Sequence, residues 1–323
     1  MSFISDWLSL RVAPVPLSAI EVAGNHVCAA TLDSHGERPT VTAHAVDLLP
    51  DGVLTPSLTS ANVQDRRMVV AAFRKVLEAI GRPRRVALLL PDTVAKVSLV
   101  RFEKTPSDKD LDQLIRWQVR KVVPFPIEEA QVSYVAGARH ADGQEFLVSL
   151  ARRDVIREYE DVCQEAGAQA GLVDLSTFNV VNAVLAGGPV NGDWLLVNVA
   201  PDSASIVILR GSDPIFYRNR AADSDGSLAD LVHQTSMYYQ DRLQGTGFAR
   251  VLLCGAAAAA GGRQAVDVDR MRKGLEQRLA MAVETVDPRA AVNLADRIGA
   301  GQALLDVLAP VVGAVLRGKV AAA

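Results

Sequence analysis

Two stretches of this chain, one beginning near Leu17 and the other near Trp194, run through the same succession of three strands, a helix and a short apolar strand. Such a repeat restricts the fold more than any single residue does, because each copy needs a sheet with a helix packed on it. In the first copy, Leu17 to Leu32 alternates around Gly24-Asn25, the pattern of a two-stranded hairpin with a type I′ turn. Thr40 to Leu48 supplies a third strand before Pro50-Asp51-Gly52. Val69, Phe73, Val76, Leu77 and Ile80 then recur at three and four residues, and Gly81 ends the helix. Val86 to Leu90 is wholly apolar between Pro83 and Pro91, as in a strand covered on both faces.

The second copy places strands at Trp194 to Val199, Ser205 to Leu209 and Ile215 to Arg218, then a helix from Leu228 to Leu243 and an apolar strand from Val251 to Gly255. Another helix covers Met271 to Met281. The predicted organisation is an α/β chain of two lobes, the first over 17–193 and the second over 194–323. Within the first lobe, 105–167 reads as an inserted unit. A helix opening at Ser107 carries Leu111, Leu114, Ile115, Gln118 and Val122 along one stripe and stops at Pro124-Phe125-Pro126. A hairpin follows, with Val132 to Ala138 and Phe146 to Leu150 flanking His140 to Gly143, and a helix runs from Asp154 to Gly167.

A net charge of −3 provides no basic field for a phosphate backbone, so nucleic acid is excluded as a partner. Cys28, Cys163 and Cys254 are far apart and flanked by apolar residues, which predicts reduced, buried thiols. The opening residues lack a basic segment and a long apolar run, so no secretory signal is expected. The most apolar stretch, Ala303 to Leu316, is interrupted by Asp306 and Pro310 and falls short of the roughly 20 residues a spanning helix needs. His26 is an isolated histidine without the spacing of a metal or base site, and no nucleophile-elbow, Walker or zinc-protease motif occurs.

Several segments fall in a recognisable order. They are Ala19 to Val27, Leu90-Pro91-Asp92, the helix and Pro-Phe turn from Asp112 to Pro126, Ala166-Gly167 followed by Val173-Asp174, and Val197-Asn198-Val199-Ala200. Phe216-Tyr217-Arg218, Ser236 to Tyr239, Leu253-Cys254-Gly255 and Gly299 to Leu304 complete the series. Over nearly the whole chain this order resembles the PilM-type assembly proteins of type IV pili. The resemblance implies an actin-like, ribonuclease H-like fold of two lobes, with an inserted subdomain in the first lobe and a reduced second lobe. It places candidate nucleotide contacts at Glu21, Gly24, Asn25, Asn198, Asp202, Ser203 and Gly255.

Against the family's pattern, the metal-organising aspartates are Glu21 and Asn198, and two expected glycines are Ala200 and Ala256. Only Ala221 to Gly226 separate the last meander strand from the next helix, where the family inserts a lid over the base. The expectation is a cytoplasmic scaffold, peripheral to the inner membrane, that requires no cofactor and binds ATP/Mg weakly if at all. The competing expectation is a working ATPase of the same fold. By the same resemblance, the partner is the cytoplasmic N-terminal peptide of a PilN-like membrane protein, with a pilus motor or platform protein as a further one. The peptide is expected in a groove between the first lobe and the insert, anchored by Arg116, Trp117, Arg120 and Phe125. Trp117 has the alternative of packing against the neighbouring lobe, and Phe3, Ile4, Trp7, Leu8 and Leu10 form an amphipathic turn able to touch membrane or partner.

Overall fold

The computed structural model describes residues 15–35, 38–103, 108–221, 227–259, 268–295, 298–299 and 301–320. The expectations placed on Phe3 to Leu10, Ser107, Ala222 to Gly226 and Ala300 lie outside the described residues.

Strands β1 (Ser18–Ala23), β2 (His26–Asp33) and β3 (Thr40–Leu48) form an antiparallel meander. Helix α1 (Arg66–Ala79) crosses over, and β4 (Arg85–Leu90) returns parallel to β1. The Asp65 side chain caps α1 by accepting from the Met68 N–H, and Val69, Phe73, Val76 and Leu77 are buried against the sheet. Then come β5 (Ala95–Phe102), α2 (Asp108–Val119), β6 (Ala130–His140), β7 (Gly143–Arg152), α3 (Arg153–Glu165), β8 (Gln169–Leu175) and α4 (Ser176–Ala186). The second copy comprises β9 (Asp193–Val199), β10 (Ser203–Arg210), β11 (Asp213–Ala221), α5 (Leu228–Arg242) and β12 (Arg250–Cys254). After it follow α6 (Ala256–Ala259), α7 (Val268–Leu279), β13 (Glu284–Thr285), β14 (Asn293–Leu294) and α8 (Gln302–Val320).

The first sheet runs β14-β3-β2-β1-β4-β8 and the second β11-β10-β9-β12-β13. The blocks β3-β2-β1-β4 and β11-β10-β9-β12 share one topology, so the repeat in the sequence is a repeat in space. A separate sheet, β5-β7-β6, carries α2 on one face, where Ile115, Val119, Phe125, Val132, Phe146 and Leu150 pack together.

Helices α4 and α8 form the layer between the two main sheets. Ala183 of α4 and Leu308, Val311 and Val312 of α8 face the first sheet, against the small side chains of Ala19, Cys28, Ala30 and Ala87. Val180, Val181 and Ala309 face the second sheet, against Trp194, Leu196, Val207 and Leu252. The helices approach so closely that a Cβ on Gly313 would stand 1.7 Å from the carbonyl oxygen of Asn179.

Four expectations are corrected. Residues 288–295 and 302–320 do not belong to the second lobe, because β14 pairs with β3 and α8 covers the first sheet. The inserted unit is bounded by Ala95 and Arg152, since β5 is one of its strands and α3 instead packs its Val155, Tyr159 and Val162 into the first lobe's core. The buried stripe of α2 is Ile115 and Val119, whereas Leu114 and Gln118 face outward. Neither Gly24 nor Asn25 has a positive φ, so the first hairpin does not close through a type I′ turn. The three cysteines are buried and unpaired, and among the described residues no helix is long and apolar enough to cross a membrane.

Gly313→Ala is expected to lower stability by about 1–3 kcal/mol through overpacking against the α4 backbone. Gly318→Ala on the same helix, where a Cβ meets nothing within 4 Å, should be neutral or stabilising. Urea unfolding of the two variants checks the contrast.

Candidate functional site: an interlobe cleft and an insert groove

The duplicated hairpins face each other across the interlobe cleft. Ala23 and His26 flank the tip of the first, and Ala200, Pro201 and Asp202 form the turn of the second. The cleft is lined by Glu21 and His26 from the first hairpin, Asp92 after β4, Asn198 and Asp202 from the second hairpin, and Asp306 of α8, and its free volume is about 40 Å³. Small-molecule sites usually offer about 300–1,000 Å³, so this space is of the size of a water or two.

Among the described residues each acid in the cleft is held by hydrogen-bond donors, and the nearest basic group to Glu21 is His26, whose Nε2 stands 4.0 Å from Glu21 Oε2. Ser176 donates to Glu21 Oε1 at 2.7 Å. Burial pushes the Glu21 carboxyl up to about 8, opposed by that hydrogen bond and reinforced by the charge of Asp92. Asp92 accepts from the Thr177 N–H at 3.2 Å, from the Thr177 hydroxyl, and from the Ser205 hydroxyl at 2.7 Å; burial nevertheless raises it above the usual carboxylate range. Asn198 donates to the Thr177 hydroxyl at 2.8 Å, so its amide is engaged within the protein. Asp202 is likewise raised by burial. Burial also lowers His26 to about 4, leaving a neutral ring at pH 7 whose Nδ1 meets Asn25 Oδ1 at 2.7 Å and whose Nε2 has no hydrogen-bond partner.

The far wall of the cleft holds an internal hydrogen-bond acceptor. Asp306 projects from α8 to accept the Ala257 N–H at 2.8 Å, and the Gln302 amide donates to its other oxygen at 2.9 Å. The N–H groups of Gly255 and Ala258 also contribute hydrogen bonds that oppose the upward push of burial on this carboxyl. The turn after β12 therefore already has a carboxylate on its backbone donors. Asn25 reaches the Ala258 carbonyl at 3.5 Å and ties the first hairpin to the same turn.

Of the residues expected to hold nucleotide, Glu21, Asn198, Asp202 and Gly255 line the cleft, whereas Gly24, Asn25 and Ser203 do not. Gly255 is required by the protein itself, with φ at 78° and a would-be Cβ 2.1 Å from the Val199 carbonyl oxygen. A Cβ on Gly24 would meet only Pro56, at 3.8 Å. Among the described residues no group of three or more His, Cys, Asp or Glu is arranged to hold a metal ion. Sequence reasoning missed Ser176, Thr177 and the role of Asp306, whose one signal was a charge inside an apolar helix.

The larger concavity lies between the insert sheet and the first lobe, with Ser212, Asp213 and Pro214 of the second lobe lining one end. One half, about 550 Å³, is lined by Gln131, Arg157, Glu160, Leu172 and neighbouring residues, and the other, about 440 Å³, by Val135, Leu147, Phe178, Val181 and Leu185 among others. The halves share Ser133, Ser149, Asp174, Leu175 and Arg317, and the Asp174–Arg317 ion pair at 2.6 Å marks their junction. Residues of α2 line neither half, so the structure does not bring the predicted anchors to the groove. Phe125 is in the insert core, Arg116 pairs with Asp112, and Trp117 is exposed with the Arg120 guanidinium 5.4 Å from its ring centroid.

Duplicated sheets packed about a helical pair, with paired hairpins facing across a cleft, define an actin-like fold. The chain belongs to the family described as type IV pilus assembly protein PilM, whose model matches residues 19–241. A solved structure described as the PilM-PilN type IV pilus biogenesis complex is similar over 95% of this chain and 99% of its own, with a TM-score of 0.78 and 17% identity. The cytoplasmic domain of EpsL, an inner membrane component of the type II secretion system of Vibrio cholerae, aligns with a TM-score of 0.48 and 10% identity over 95% of this chain and 94% of its own. A Bacteroides thetaiotaomicron protein with an actin-like ATPase fold gives 0.47 and 9% over 85% and 91%. No curated protein matches the chain.

Because Glu21 is held neutral in the fold and ionises freely when unfolded, its contribution to stability is fully present below pH 4.5 and is lost as pH rises toward about 8. Glu21→Gln should therefore gain on the parent across that window, by up to roughly 1.4 kcal/mol per pH unit, in urea titrations at several pH values. Asp306→Ala leaves the Ala257 N–H without its acceptor and should cost about 1–3 kcal/mol, part of which Asp306→Asn restores; thermal unfolding at constant pH reads the difference.

Proposed function

We propose that this protein is an adaptor in type IV pilus assembly, in which the groove between insert and first lobe binds an extended peptide from the cytoplasmic tail of a PilN-like inner-membrane protein. The observation that carries this reading is the contrast between the two concavities: a continuous groove with volumes of about 550 and 440 Å³ against a cleft of about 40 Å³. The groove offers what a short, disordered tail needs. Leu147, Phe178, Val181 and Leu185 give apolar anchoring, while Ser133, Ser149 and the Asp174–Arg317 pair give polar groups for a peptide backbone. The complex recorded for the similar solved structure points to a PilN-type partner.

In the same reading the cleft is a degenerate nucleotide site. Its carboxyls face one another without a charged basic side chain among the described lining residues, so no side chain there would offset the charge of polyphosphate. Asp306 occupies backbone donors that an anionic ligand would need. No cofactor is required for the adaptor role, and Mg-ATP binds weakly and is not turned over. The site of action is the cytoplasmic face of the inner membrane, where a pilus motor or platform protein is a further partner.

Calorimetry with a synthetic tail peptide tests the groove. Ser149→Arg, where the two halves join, and Val135→Asp, at an exposed position of the second half, are expected to weaken binding by about 1–3 kcal/mol, the size of a hot-spot loss. Unchanged affinity in both variants refutes the groove assignment. A large thermal shift with micromolar Mg-ATP, or steady phosphate release, refutes the degenerate cleft and favours a working ATPase; a ligand at 100 times its Kd would stabilise the fold by about 2.7 kcal/mol.

A further inference from the structure

The outward face of α2 belongs to neither concavity. Leu114 and Trp117 stand 39% and 60% exposed on the side away from Ile115 and Val119, and Val122, just past the helix, is 36% exposed. The chain from Gln113 to Ile127 contains no acidic residue and three basic ones, Arg116, Arg120 and Lys121, although the whole protein carries −3. Arg116 is tied to Asp112 and Arg120 lies over the Trp117 ring, which leaves Lys121 and the outer edge of Arg120 to meet a partner's charge.

An indole with a guanidinium over it, apolar neighbours and an unopposed basic edge is amphipathic over the length of one side chain. Trp favours the headgroup level of a bilayer, where the ring is buried while its N–H and adjacent cations remain hydrated. Basic residues are drawn to anionic lipid with a strength that falls off over a Debye length. The shape points the same way. Trp117 projects from a face that is no part of the cleft or of either half of the groove, and a headgroup layer deforms around a protruding side chain.

We propose that the face formed by Leu114, Trp117, Arg120, Lys121 and Val122 docks on an anionic lipid bilayer. Contact of so small an area is weak and salt-sensitive by itself, and is suited to orienting a protein that another interaction already holds near the membrane. The inference stands on α2 alone and does not depend on what fills the groove.

Co-sedimentation of the full chain with phosphatidylethanolamine vesicles containing phosphatidylglycerol, and with phosphatidylcholine vesicles, tests it. The parent should bind the anionic vesicles and not the zwitterionic ones. Arg120→Glu/Lys121→Glu should reduce binding about tenfold or more, and Trp117→Ala about fivefold, with unchanged unfolding midpoints because these side chains are exposed. Arg67→Glu/Lys273→Glu, which makes the same change in net charge on exposed positions elsewhere, should leave binding intact. The proposal is overturned if the parent does not bind anionic vesicles, or if the α2 variants bind as the parent does. It is equally overturned if the control pair loses as much as the α2 pair, or if the α2 variants keep the vesicles but lose a tail peptide, which would make the face a protein-binding site.

Discussion

The approach of α8 to α4 is the contact on which the molecule's geometry rests. Both helices are buried on two sides, one toward each main sheet, so their separation sets the distance between the lobes. Gly313 over the Asn179 carbonyl lets that separation be small, and the alanines and cysteine on the facing side of β1, β2 and β4 let α8 sit low on the first sheet. With the sheets fixed in this way, the hairpins of the two repeats are brought tip to tip. The residual space between them is then decided by the side chains at the tips.

The side chains lining the cleft are tied to the helical layer behind it. Ser176 and Thr177, at the start of α4, serve Glu21, Asp92 and Asn198 at once, so the helix that spaces the lobes also supplies hydrogen bonds to the polar groups of the cleft. Asp306 on the partner helix does the same for the turn after β12. A low-dielectric site containing several carboxyls and no side-chain cation is stable only if its members are protonated or heavily hydrogen-bonded, and both are found here.

The sequence shows the repeat because its strands and α1 obey simple periods. The β1–β2 hairpin surrounds a Gly-Asn pair, although its strands prove buried on both faces, β4 and β12 are unbroken apolar runs, and α1 has one apolar stripe. Elements apolar on more than one side have no face to assign. That is why α4 went unseen and the destination of α8 was misjudged: each packs against two sheets at once. In α2 the residues Leu111, Leu114, Ile115, Gln118, Val119 and Val122 support two overlapping stripes, and only the insert sheet selects Ile115 and Val119. Four residues expected at the cleft are there because local strand order fixes them. The groove was not legible in detail, since its walls come from β6, β7, α3, β8, α4, α8 and the turn between β10 and β11, which meet only in three dimensions.

The return of the chain to the first sheet has a consequence for how the molecule is made. β14 completes the edge of a sheet begun at Ser18, and α8 covers the face presented by Ala19, Cys28 and Ala87. During synthesis, that face stays bare until residues 302–320 have emerged, long after its strands are complete. Contacts of such sequence separation form slowly, and an uncovered apolar sheet is prone to wrong association in the interval. Nascent first lobes are thus the stage at which this protein most needs protection by a chaperone, and a chain interrupted before α8 would carry that bare face permanently.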